Sequence, residues 1–203
     1  MANRLPDGDV QAMQQFIGQS PWDYMPVRRR LAERVSKELV PSHAWIVDDT
    51  GFPKKGEHSV GVARQYSGTM GKVGNCQVAV SVHLGTDDAA MPLDYELYLP
   101  KGWTTDAERM RLAGVPSWTL FRKKWQIALD ILDRVRSWDV PIGVVVGDIA
   151  YGKVIEFRRG LAQRSFFYLL EVGKKSFVFR PAMEQSVKRG RPRGKELPEI
   201  MSV

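Results

Sequence analysis

A single cysteine, three histidines and no apolar run near the roughly 18 residues that cross a bilayer set the first limits on this chain of 203 residues. Cys76 has no partner for an intrachain disulfide, which points to a reducing, intracellular setting. His43, His58 and His83 are scattered, and no Cys/His pair has the spacing of zinc ligands, so no zinc site is predicted. Residues 1–9 lack the apolar stretch of a secretory signal, and a soluble, membrane-free protein is expected. Acidic residues are also in deficit, with 23 Asp and Glu against 30 Lys and Arg, a formal net charge of +7. From Lys174 to Val203 there are eight Lys or Arg and three Glu, so most of the excess sits in the last stretch. Such a balance suits a polyanionic partner. Hydrophobic residues make up 43% of the chain, enough for one domain with a real core and an appendage.

The patterning predicts a helical segment from about Val10 to Val40, with a capping box at Ser20–Asp23. Val27, Leu31, Val35 and Leu39 form its packing stripe, and Pro26 interrupts or restarts it. A strand over His43–Asp48 follows, then a Gly- and Lys-rich connection with a short extended piece at Ser59–Tyr66. Val78, Val80, Val82 and Leu84 alternate with Gln77, Ala79, Ser81 and His83, the clearest strand in the chain, and Met91–Leu99 pairs with it as an antiparallel hairpin. A short helix at Thr104–Leu112 and a longer one at Ser117–Trp138 are expected, with Trp118, Trp125 and Trp138 as core or edge packing. The continuous apolar run Ile142–Asp148 reads as a strand buried on both faces. A helix over Lys153–Arg164 and a strand over Phe166–Val172 close the pattern. Three antiparallel strands followed by helix-linked strands are the layout of the ribonuclease H-like mixed α/β fold, in which the first and fourth strands lie side by side. The expected division is an N-terminal helical segment (1–40), a partial ribonuclease H-like core (41–181) and a basic Gly/Pro/Arg tail (182–203).

Two of these strands end in carboxylates, Asp48 and Asp148, and adjacent strands would bring them together at the rim of the sheet. Such a pair, with substrate phosphate oxygens, is a normal coordination set for Mg²⁺. An Asp after a strand is equally a turn former or helix N-cap, and that reading stands beside the first. Lys54, Lys55 and Arg64 are candidate phosphate contacts or solvated charges. Lys188, Arg189, Arg191 and Arg193 form an Arg-Gly-Arg-Pro tail suited to a narrow minor groove or to a solvated linker. Gly68–Lys72 lacks the glycine spacing of an ATP-binding loop, which excludes nucleotide hydrolysis by that route.

An ordered series of segments carries a resemblance: Val47–Gly56, Ser59–Gly68, Asn75–Val78, Glu96–Pro100, Ala113–Pro116 and Gly147–Gly152. Together they resemble the DDE-type transposases of bacterial insertion sequences, in the branch described as DDE superfamily endonucleases. The resemblance implies metal-dependent DNA cleavage and strand transfer with two Mg²⁺ or Mn²⁺ ions, on double-stranded DNA at element ends and target. It also implies a possible homo-oligomer and a bacterial cytoplasmic, nucleoid-associated setting. Asp48 takes the place of the family's first acid and Asp148 of its second, with Asp49 as a fallback ligand. The third acid, a Glu on a later helix, has no counterpart in its motif, since Glu156, Glu171 and Glu184 lie outside such a segment. A truncated or frameshifted copy is therefore expected. Two other functions stay open: a non-enzymatic DNA-binding remnant or regulator, and an Mg²⁺-dependent aspartate-nucleophile phosphohydrolase.

Overall fold

The computed structural model describes residues 9–41, 44–174, 176–179 and 200–202. Helix α1 (Val10–Gly18) starts at Asp9, whose side chain accepts hydrogen bonds from the Gln11 and Ala12 amides, and it buries no residue. Helix α2 (Met25–Glu38) follows after a break, so the predicted continuous segment is two helices. The capping box at Ser20–Asp23 does not form; Asp23 instead accepts from the Met25 amide at 2.9 Å, and Pro26 occupies the first turn, where its missing N–H costs nothing. The stripe also turns out differently. Ala32 and Ser36 are buried with Val35 and Leu39 against the core, whereas Val27 and Leu31 are 47% and 57% exposed. A row of every fourth residue is inclined to the helix axis, so its first half winds away from the sheet, and small side chains take the close contact.

The sheet begins with β1 (Ala44–Pro53), β2 (Ala63–Ser67), β3 (Lys72–Gly85) and β4 (Ala90–Tyr98). It continues through α3 (Lys101–Thr104), α4 (Ala107–Leu112), α5 (Lys124–Arg136), β5 (Val144–Gly147), α6 (Ile149–Gly152), α7 (Ile155–Gln163) and β6 (Tyr168–Leu170). β7 (Phe177–Phe179) and β8 (Ile200–Ser202) pair separately. β3 is the shared strand. One of its edges pairs antiparallel with β1 from Cys76 to Gly85, and the other is divided between β2 (Lys72–Cys76) and β4 (Val78–Gly85). β5 then joins β1 in parallel, and β6 joins β5. This is the ribonuclease H-like arrangement, with antiparallel strands first and helix-linked parallel strands after.

The predicted hairpin and the apolar fifth strand are present at shorter or longer bounds, but the latter is buried on one face only, with Val145 and Gly147 covered and Val144 40% exposed, and several helices differ. The single helix at Thr104–Leu112 is α3 and α4, and α5 opens at Lys124 instead of Ser117. Trp118 therefore lies before the helix and is 79% exposed, while Trp138 is buried at its far end. The core lies on one face of the sheet. Trp45, Val47, Val80, Val82, Leu84 and Val145 meet Ile127, Ala128, Ile131, Leu132 and Val135 of α5, with Phe157 and Leu161 of α7 behind. Each fully buried aliphatic side chain of this kind stabilises by about 1.5–3 kcal/mol. Among the described residues no helix is long and apolar enough to cross a membrane.

Candidate active site

β1 does not stop at Asp48. Its parallel pairing with β5 ends at Val47–Gly147, but its antiparallel pairing with β3 runs on to Pro53–Cys76. The sheet forks at that point, and the next residue on each side of the fork is an aspartate. Asp48 and Asp148 are both exposed and both line one cavity of about 380 Å³. Asp148 is also the N-cap of α6: its Oδ1 accepts from the Ala150 and Tyr151 amides at 2.9 and 3.3 Å. The Oδ1 of Asp48 accepts from the Asp49 amide at 2.7 Å. The Oδ2 atoms of Asp48 and Asp148 make no hydrogen bond among the described residues. The cap and the ligand readings of Asp148 are thus compatible, because they use different oxygens.

Asp49, which alternates with Asp48 along β1, lines the same cavity but turns its carboxylate toward α5 and α6. Its Oδ1 accepts from the Tyr151 hydroxyl at 2.6 Å and its Oδ2 binds Lys124 Nζ at 2.7 Å. Tyr151 is 3% exposed, and burial, then the Asp49 charge and hydrogen bond, push its hydroxyl well above the usual phenol range. Asp48 and Asp148 add to that push, so all three carboxylates lie near this hydroxyl. The Tyr98 phenol is raised by burial and then by Asp49, while the His83 imidazole is lowered by burial against a weaker opposing pull from Asp48. His83 Nε2 lies 3.0 Å from Ser81 Oγ, which donates to the Asp48 carbonyl at 3.2 Å, so Asp48 is braced from β3. Gly51 belongs to the same wall, because a Cβ there would run into the Ser67 side chain.

The other candidate residues are spread out. Lys54 and Lys55 follow the end of β1 and do not line the cavity. Five strand residues lie between Asp48 and Lys54, and the six residue steps span roughly 20 Å. Arg64 is exposed on β2, on the same face as Tyr66, which is itself 63% exposed at the cavity. Lys188, Arg189, Arg191, Arg193 and Glu184 lie outside the described residues, as does His43. Glu156 and Glu171 are exposed and away from the cavity lining. Among the described residues no group of three or more His, Cys, Asp or Glu side chains forms a metal-binding cluster. Two residues of the site carried no individual signal. Tyr151 lay inside the Gly147–Gly152 segment without a role of its own, and Lys124, 75 residues from Asp49, is a helix-start lysine like many others.

The antiparallel opening of the sheet differs from the strand–helix alternation that an aspartate-nucleophile phosphohydrolase requires. Comparison with known proteins points elsewhere. The family model described as DDE superfamily endonuclease matches residues 1–202. A protein from Microchaete diplosiphon named "Probable transposase for insertion sequence element IS701" is 31% identical over 144 residues, which cover 70% of this chain and 35% of that relative's length. The chain thus spans about a third of the curated relative it matches. No solved structure matches. With a ribonuclease H-like sheet, paired aspartates at its fork and a family match over nearly its whole length, this chain belongs to the DDE superfamily endonucleases.

Proposed function

We propose that this chain supplies the acidic centre of an insertion-sequence transposase, which cleaves and joins DNA with Mg²⁺ or Mn²⁺ held by Asp48 and Asp148. The observation that carries the reading is the fork: two exposed carboxylates, one residue beyond the last parallel pair, open into one cavity. The donor set fits a hard cation, since each Asp has an oxygen free of hydrogen bonds among the described residues. When bound, such ions polarise a phosphodiester and lower the pKa of an attacking water or hydroxyl. The chain's own part is to fix the two acids, Asp48 through a strand paired to β3 and Asp148 through the α6 cap. Arg64, Lys54 and Lys55 extend outward from this centre along β1 and β2, where they would meet phosphates of flanking duplex. The basic tail residues Lys188, Arg189, Arg191 and Arg193 would add a second, salt-sensitive DNA contact.

One observation favours a second reading, a DNA-binding regulator without nuclease activity. Asp49 is the third carboxylate at the cavity, and both its oxygens are already engaged by Lys124 and Tyr151. Nicking of a supercoiled plasmid decides between the two. We expect Mg²⁺- or Mn²⁺-dependent relaxation that disappears in Asp48→Asn and in Asp148→Asn. Duplex binding without any metal-dependent nicking would overturn the nuclease reading and leave the regulator.

A further inference from the structure

Lys124 is the only cation among the described residues lining the carboxylate cavity. It is the first residue of α5, whose start is fixed by the Lys123 amide donating to Gln126 Oε1 at 2.8 Å. Its Nζ lies 2.7 Å from Asp49 Oδ2 and 5.4 Å from the Tyr98 ring centroid, and its side chain remains 33% exposed. An ammonium has three donors, and Asp49 uses one. On the other side, Asp49 is held by the buried Tyr151 hydroxyl at 2.6 Å. The carboxylate is therefore clamped between a hydroxyl anchored in the core and an ammonium at the cavity wall. A phosphodiester reaching Asp48 and Asp148 carries negative charge into a cavity lined by three carboxylates. A lysine acts there as a point charge for a non-bridging phosphate oxygen.

We propose that Lys124 is the phosphate-binding cation of this site and that Asp49 is its positioning residue instead of a metal ligand. The proposal rests on the acidic-centre reading above and adds a substrate contact to it. The bland alternative is a salt bridge that only staples α5 to β1.

The deciding measurement needs no turnover. The affinity of the full chain for a short duplex oligonucleotide is followed across a salt series without divalent metal, alongside thermal unfolding of each variant. Each lost phosphate contact flattens the plot of log affinity against log salt by about 0.9. Lys124→Ala should therefore lose about one unit of slope and bind roughly eightfold more weakly at 0.1 M salt. Lys124→Gln keeps a donor toward Asp49 and should lose the same slope, which covers the case in which the alanine variant does not fold. Lys124→Arg should keep the slope, as should Lys37→Ala on α2. In parallel, Mn²⁺ alone is titrated and read by electron paramagnetic resonance. Asp49→Asn should bind Mn²⁺ like the wild type, whereas Asp148→Asn should not. An unchanged slope in folded Lys124→Ala and Lys124→Gln, or loss of Mn²⁺ binding in Asp49→Asn, overturns the proposal. Undiminished Mn²⁺ binding in both Asp48→Asn and Asp148→Asn would instead sink the acidic-centre reading, while the slope test would still report on Lys124.

Discussion

Substituting Asp148 in two ways separates two tasks performed by one side chain. Oδ1 caps α6 through two backbone amides, and Oδ2 is the oxygen left for a cation. Asn caps a helix about as well as Asp, so Asp148→Asn should unfold within a few tenths of a kcal/mol of the wild type when no metal is present. Ala cannot accept those bonds and should cost about 0.5–2 kcal/mol. At roughly 2–4 °C per kcal/mol for a domain of this size, that lowers the unfolding midpoint by about 1–8 °C. Metal makes the second comparison. A cation that binds only the folded state, supplied at about 100 times its Kd, adds about 2.7 kcal/mol, or roughly 5–11 °C. The wild type should gain that increment on adding Mn²⁺, and both Asp148 variants should lose most of it. Differential scanning fluorimetry of the three proteins with and without Mn²⁺ reads the cap costs and the metal increments together. If Asp148→Asn keeps the full Mn²⁺ increment, the carboxylate is a cap only and the assignment of a metal to the fork fails.

Two further outcomes follow from buried charge. Asp94 has no exposed side-chain surface and lies between Arg134, 2.6 Å away, and Arg28, so it ties α5 and α2 to β4. Asp94→Ala leaves two guanidinium groups without their buried partner; because both arginines still reach water, the low end of the range for a broken buried pair, about 3 kcal/mol, is expected by urea unfolding. A loss under about 1 kcal/mol would mean the cluster is solvated and does not fasten the helices. His83 is the second case: its folded-state proton affinity is lowered by burial, so the unfolded chain binds more protons below pH about 6.5. Stability contributed by the neutral ring is present above that pH and is lost as pH falls. His83→Gln should flatten the difference in urea midpoint between pH 7.5 and 5.5, and an unchanged difference would remove His83 as its source.

The sequence disclosed those parts of the molecule whose signal is local. The alternation of Val78, Val80, Val82 and Leu84 marks β3, and the apolar run Val144–Gly147 marks a parallel strand, though only the face of Val145 and Gly147 is buried, so side-chain type told the strand and overstated its cover. The two fork aspartates were legible for the same reason, as polar residues ending apolar runs. Partner-dependent features were not. β1 continues to Pro53 because β3 offers it a pairing edge past the end of β5, a fact that the Gly51–Phe52–Pro53 stretch does not announce. Residues Ala32 and Ser36, not Val27 and Leu31, face the core because α2 packs closely against β4, a partner that the helix's own pattern does not name. The clamp joining Lys124, Asp49 and Tyr151 is the extreme case, since its members lie 75 and 102 residues apart from Asp49 along the chain.

The shared strand has a consequence for how the acids can move. β3 is hydrogen-bonded along both edges, so its amides should exchange with deuterium among the slowest in the chain, and Asp48 is moored to that slow scaffold. Asp148 instead hangs on a single four-residue turn of helix. A metal ion or a bulky backbone arriving at the mouth would meet two jaws held by different means, one by a strand ladder and the other by a helix cap.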